Sequence, residues 1–354
     1  MEKIELAGKV QTVLGLIAPD SLGVTLSHEH LLTDLSAYFI EPTEASEREI
    51  AHEPVRMDNL YWVHPHALGH LDNLKLTDEN LATKEAILFK QAGGNTIVEL
   101  SNIGLCRDPL GLARISRSTG LNVVMGAGYY VEVSHPPELA KMTEEEIAED
   151  IVRDIMVGAD NTGVRAGIIG EIGCSEPMLE AERKSLRAAV IAQKRTGAAI
   201  NIHPGFRDDF VLEIVDMLGN AGADLSRVVI SHCDIAGLSR DTCHKIMDAG
   251  CYLEYDTFGY PGLTPHPNWV TYVPSDSERI KAIVDFIARG YLNQILVASD
   301  HCFKHLYVAY GGGGYAYILR DIVPLMRGYG ISDEQIHTLL VENPKRLLTF
   351  VPVD

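Results

Sequence analysis

The run Val24-Thr25-Leu26-Ser27-His28-Glu29-His30 decides how the rest of the chain is read. Its β-branched and apolar residues suit a strand, and that strand leads directly into two histidines one residue apart. Side chains i and i+2 of a strand share a face, so His28 and His30 can reach one metal ion from a single strand end. His-x-His alone is a weak signal. It gains weight because more ligand-type residues stand at the ends of later apolar runs.

Eight β-type runs can be marked, at 24–28, 96–100, 122–127, 167–171, 198–203, 227–232, 251–255 and 294–300. Between them lie stretches with helical spacing, such as 144–159, 179–196, 209–221, 240–249 and 278–289. Gly93-Gly94, Gly120, Gly197, Gly250 and Gly290 stand just before strands, where a helix C-cap is wanted. Eight βα units in series predict an α/β chain forming a (β/α)8 TIM barrel, read as one domain over 1–354. A doubly wound open sheet is the alternative; the eighth strand and the absence of a linker favour the barrel. Residues 4–20 read as a short β-hairpin ahead of strand one. Long loops at 38–75 and 258–277, the latter with Pro261, Pro265, Pro267 and Pro274, follow strands one and seven. They therefore fall on the face where barrel loops build substrate sites.

The strand ends form a pattern. Strand one brings His28 and His30, strand four ends in Glu171, five in His203, six in His232 and eight in Asp300. In a barrel these ends meet at one mouth. One catalytic zinc needs about three protein ligands and an open position. Six ligands suit two divalent ions about 3.5–4 Å apart, bridged by a carboxylate and a hydroxide. Glu171 is the natural bridge. Asp300 can hold a metal with one oxygen and accept the water proton with the other, which makes it the catalytic candidate. The histidine and carboxylate set suits zinc, and also manganese, cobalt or iron. Six convergent groups of this kind left buried without cations would be costly, which weighs against mere polar strand ends.

Composition narrows the partners. With 30 basic and 49 acidic residues the net charge is −19, which repels phosphate backbones and argues against nucleic acid. No apolar run approaches the roughly 20 residues of a membrane span. The start lacks the apolar stretch of a signal peptide, so a cytoplasmic protein is expected. The six cysteines form no C-x-x-C pair and read as buried reduced thiols.

Ser27-His28-Glu29-His30, Gly167-Ile168-Ile169-Gly170-Glu171, Asn201-Ile202-His203-Pro204, Ser231-His232, Ser299-Asp300-His301 and Glu342-Asn343-Pro344-Lys345-Arg346-Leu347-Leu348 resemble the phosphotriesterase family of the amidohydrolase superfamily. The resemblance covers essentially the whole chain. It implies a metal-dependent hydrolase on a (β/α)8 barrel, with the family's ligands at His28, His30, His203, His232 and Asp300, and a homodimer. The family's usual carbamylated lysine is matched here by Glu171, as in its phosphotriesterase-homology branch. The family's proton-relay histidine has no match; Asp234 and Asp256 are acids in that region, and Asp256 could equally be structural.

The resemblance also places an aromatic wall at Tyr129-Tyr130, although a structural pair fits the sequence as well. His64, with His66 and His70, could line the site from the first long loop. Lys304 and His305 could meet an anionic group. The substrate-contacting set is thus Tyr129, Tyr130, Asp256 and His64. The chemistry implied is attack by the bridging hydroxide on a carboxylic ester, lactone or amide carbonyl of a small molecule. Phosphotriester hydrolysis is the alternative. A metal-stabilised binding protein without catalysis is a third reading.

Overall fold

The computed structural model describes residues 6–235, 238–260, 264–266, 269–271 and 273–353. Ile4 and Glu5 of the expected hairpin, and Pro261 and Pro267 of the second long loop, lie outside the described residues. The rest of the hairpin forms, with Val10–Thr12 antiparallel to Gly15–Ile17.

All eight expected strands are present. They are β1 (Thr25–Glu29), β2 (Thr96–Glu99), β3 (Asn122–Ala127), β4 (Ile168–Gly173), β5 (Ile200–His203), β6 (Val228–Ile230), β7 (Tyr252–Tyr255) and β8 (Ile295–Val297). They pair in chain order in one parallel eight-stranded sheet. The connecting helices are α1 (Glu79–Gln91), α2 (Pro109–Thr119), α3 (Glu144–Met156), α4 (Glu180–Thr196), α5 (Asp208–Asn220), α6 (Arg240–Asp248) and α7 (Asp276–Ala288). This is the (β/α)8 barrel; the open-sheet alternative fails because the first and last strands meet. The Asp300 amide donates to the His28 carbonyl at 3.1 Å. The Glu29 carboxylate accepts from the amides of Ser299 and His301, both at 2.9 Å. A side chain thus supplies part of the pairing that a strand ladder would otherwise make.

Alternation along the strands divides the core into two layers. Val98, Leu100, Val124, Ile168, Ala199, Val229, Tyr252 and Leu296 form one cluster, closed below by Val10, Leu22, Leu347 and Leu348. Their neighbours Leu26, Ile97, Val123, Ile169, Ile172, Ile202 and Leu253 join the larger cluster that includes the helices. The small cluster is the filled barrel interior; the large one is the packing between sheet and helices.

Two bulges break this alternation where the site lies. Leu26 pairs with Ile97 and Glu29 with Glu99, so β1 carries one extra residue. Leu26 packs outward, and uninterrupted alternation would send His28 outward too. The bulge turns His28 and His30 into the mouth. In β4, Ile169 pairs with Ile200 and Ile172 with Ile202, again one residue too many. Ile168 faces inward, so Glu171 reaches the interior only because of this bulge. Gly170 makes it feasible: its φ is +129°, and a Cβ there would stand 2.4 Å from the Asn201 carbonyl oxygen.

Candidate metal centre

Glu171 lies inside β4 rather than at its end, while His232 and Asp300 lie beyond the last residues of β6 and β8. Both of the latter adopt left-handed backbone, with φ of 55° and 40°. That conformation is uncommon outside glycine and recurs where a functional side chain must be aimed.

The six expected ligands come together around Glu171. Its Oε2 is 2.9 Å from His203 Nδ1 and 2.8 Å from His232 Nε2. Its Oε1 is 3.9 Å from His30 Nε2. Asp300 Oδ1 lies 3.3 Å from His30 Nε2 and 3.7 Å from His28 Nε2, and His28 Nε2 lies 3.6 Å from Glu171 Oε2. One half is therefore His28, His30 and Asp300, the other is His203 and His232, and Glu171 reaches both.

The rings are fixed from behind. His30 Nδ1 meets Ser101 Oγ at 3.0 Å, and His232 Nδ1 meets Asp256 Oδ1 at 3.0 Å. His28 Nδ1 is 3.2 Å from Ser231 Oγ and from Glu254 Oε2. Each of these three rings consequently turns Nε2 toward the centre, as metal-binding histidines do. His28 Nε2 is fully buried and has no hydrogen-bond partner. Such an atom costs about 1–3 kcal/mol if left unmet. A cation is what this donor set of imidazole nitrogens and carboxylate oxygens fits, and ligation would remove that cost.

Electrostatics agree. Burial alone would raise the Glu171 carboxyl, but the His203 and His28 imidazoles outweigh it and hold the group well below the carboxylate range. Asp300 is likewise pushed up by burial and pulled below its usual range by His30, His28 and His232. Burial disfavours charged His28 and His232, yet Glu171 beside the first and Asp256 beside the second hold both well above the ordinary imidazole range. Without metal, protons occupy the places that cations would take.

Two sequence expectations need correction. Tyr129 does not face the mouth; its hydroxyl donates to Asp150 on α3 at 2.9 Å and its ring joins the helix-side core. It alternates with Tyr130, so only one of the pair can point inward. Asp256 is fully buried beneath the ligands, accepting from the His232 amide at 3.0 Å as well as from its ring, so it holds an imidazole instead of touching substrate. Tyr130 is the residue at the site, its hydroxyl 3.2 Å from His203 Nδ1.

His64 is half-buried on the first loop with its ring 5.0 Å from that of His305. Lys304 is ion-paired with Asp72, and His305 Nδ1 donates to Asn73 Oδ1 at 2.9 Å.

Sequence reading missed Tyr38 and Tyr260. The Tyr38 ring packs edge-on against Tyr130 at 5.9 Å, and the Tyr260 hydroxyl donates to the Asp300 carbonyl at 2.6 Å. With Phe39, Leu68, Cys302 and Phe303 they belong to a separate apolar cluster over the mouth. Both sit on loops without periodicity; their only signal was membership of the loops after strands one and seven. The centre is least covered at Asp300 and His203, whose side chains are 13% and 14% exposed.

The model of the phosphotriesterase family matches residues 8–348. The chain belongs to the phosphotriesterase family. It is 42% identical over 347 residues to an N-acetyltaurine hydrolase of Danio rerio, covering 98% of this chain and 99% of that one. A resiniferatoxin-binding protein from Rhodobacter sphaeroides superposes with a TM-score of 0.93 at 35% identity, over 96% of this chain and 95% of that one. The phosphotriesterase homology protein of Escherichia coli, solved with phosphate in its active site, gives 0.77 at 29% identity, over 93% and 99%. The chain is a hydrolytic enzyme of this family, and its candidate ligand groups include His28, Glu171 and His232, and His28, His30 and Asp300.

Proposed function

We propose that this phosphotriesterase-family hydrolase works with two divalent cations, zinc being the best match, and cleaves the amide of a small N-acyl amine such as N-acetyltaurine. The carrying observation is Glu171, whose Oε2 lies 2.9 Å from His203 Nδ1, 2.8 Å from His232 Nε2 and 3.6 Å from His28 Nε2 while its Oε1 lies 3.9 Å from His30 Nε2. The 42% identity to an N-acetyltaurine hydrolase supports the amide among the carbonyl substrates. His28, His30 and Asp300 would hold one cation, His203 and His232 the other, with Glu171 shared. Bound cations supply Lewis acidity and an acidified water at neutral pH.

The chain's own groups do the rest. Asp300, ionised and next to the opening, takes the proton of the attacking water and returns it to the departing amine. The Tyr130 hydroxyl, 3.2 Å from His203 Nδ1, is the proposed donor to the substrate carbonyl. The cluster around Tyr38, Tyr260 and Phe303 keeps bulk water off the acyl group. His64 is proposed as a rim residue. We place the enzyme in the cytoplasm and expect it to act as a homodimer. No helix among the described residues is long and apolar enough to cross a membrane.

Phosphotriester hydrolysis is the second reading, favoured by the phosphate held in the Escherichia coli structure. The test is kcat/KM of the zinc-loaded protein on N-acetyltaurine, a simple lactone and a neutral phosphotriester. The amide should lead. A dominant triester rate would replace the proposal, and three rates at the level of Asp300→Asn would remove all of these substrates.

A further inference from the structure

Beneath the metal centre, three adjacent strands contribute a buried polar layer behind His28. Asn201 from β5, Ser231 just past β6 and Glu254 from β7 are at most 1% exposed. Asn201 Nδ2 donates to Glu254 Oε2 at 3.0 Å. The Ser231 hydroxyl is 2.9 Å from Asn201 Oδ1 and 2.8 Å from Glu254 Oε2. His28 Nδ1, arriving from β1 across the barrel, is 3.2 Å from Glu254 Oε2. Glu254 Oε1 has no hydrogen-bond partner.

An unpaired carboxylate oxygen in a filled barrel interior is expensive, and a hydrophobic residue would suit that layer better. The contact to His28 accounts for its presence. Asp256 Oδ2 is also 3.2 Å from His28 Nδ1, and Asp256 serves His232 as well, accepting from its ring and its amide. Glu254 has no second histidine to serve.

We propose that Glu254 is a positioning residue for His28. It accepts the Nδ1 hydrogen, fixes the tautomer and aims the bare Nε2 at the cation place shared with His30 and Asp300. Asn201 and Ser231 hold the carboxylate in register. The inference rests on the metal-centre reading and adds a prediction that reading does not make: loss of Glu254 weakens one of the two cation places and spares the other.

The experiment titrates zinc into the metal-free full-length protein against a chromogenic chelator, for the parent, Glu254→Gln and Glu254→Asp, with thermal unfolding of each metal-free form alongside. Removing such a partner of a ligand costs about 10–100-fold in metal affinity. We expect that loss at one of two equivalents in Glu254→Gln, a smaller loss in Glu254→Asp, and metal-free unfolding temperatures close to the parent's. If Glu254→Gln does not fold, the same single-site weakening must appear in Glu254→Asp. Two unchanged affinities in a folded variant overturn the inference, as does equal weakening of both sites. A parent that binds no zinc would instead overturn the metal-centre reading itself.

Discussion

Asp300 carries the clearest prediction at the scale of single residues. It is the more exposed of the two carboxylates in the cluster, and a hydrogen bond from His30 with the charge of three imidazoles holds it below its usual range. Positioned acid–base groups contribute about 10²–10⁴-fold. Asp300→Asn should lower kcat by that order while the protein still binds zinc; steady-state kinetics with metal analysis decides this, and undiminished turnover would exclude the role. Tyr130→Phe should lower kcat/KM by about tenfold, the scale of one hydrogen bond of about 1.4 kcal/mol. The same change at Tyr129 should alter stability and leave the substrate constants alone. The convergence of the six candidate residues was legible in the sequence because each followed an apolar β run. The direction of Tyr129 was not, because a two-residue aromatic pair past a strand end gives no parity.

The two bulges matter most at the scale of elements. Strand existence could be read from the β runs and their preceding glycines, and all eight strands stand within a few residues of where the runs fall. The bulges could not, since one extra residue leaves no mark in hydrophobic composition. Yet without them His28 and Glu171 would face the helices. Gly170 is the point of greatest sensitivity. Gly170→Ala combines an unfavourable φ of +129° with a Cβ 2.4 Å from a neighbouring carbonyl oxygen. A strained backbone position of this kind costs about 1–3 kcal/mol. Thermal unfolding should show that loss, and zinc stoichiometry should fall with it because Glu171 is displaced. A variant with parental stability and full zinc content would show that the bulge is not what aims the bridge.

Across the whole molecule, the site is a buried concentration of negative charge and imidazole whose occupancy couples to pH. His28 and His232 have values raised well above their ordinary range in the metal-free fold. Their stabilising contribution is thus complete below the unfolded imidazole value of about 6.5 and is lost as pH rises through the raised folded values. The metal-free protein should therefore lose unfolding temperature from about pH 7 upward. Zinc should cancel that decline, because the cation replaces the protons. Scanning calorimetry at several pH values, with and without chelator, checks both.

Glu171 is proposed to join two cation places in one barrel mouth. The most direct measurement of this is the metal content of the purified, zinc-reconstituted protein beside that of Glu171→Ala. We predict two zinc ions per chain in the parent and fewer than two, with hydrolysis lost, in the variant. A parent that holds one ion or none, or a variant that keeps both ions and its activity, would rule out Glu171 as the shared ligand.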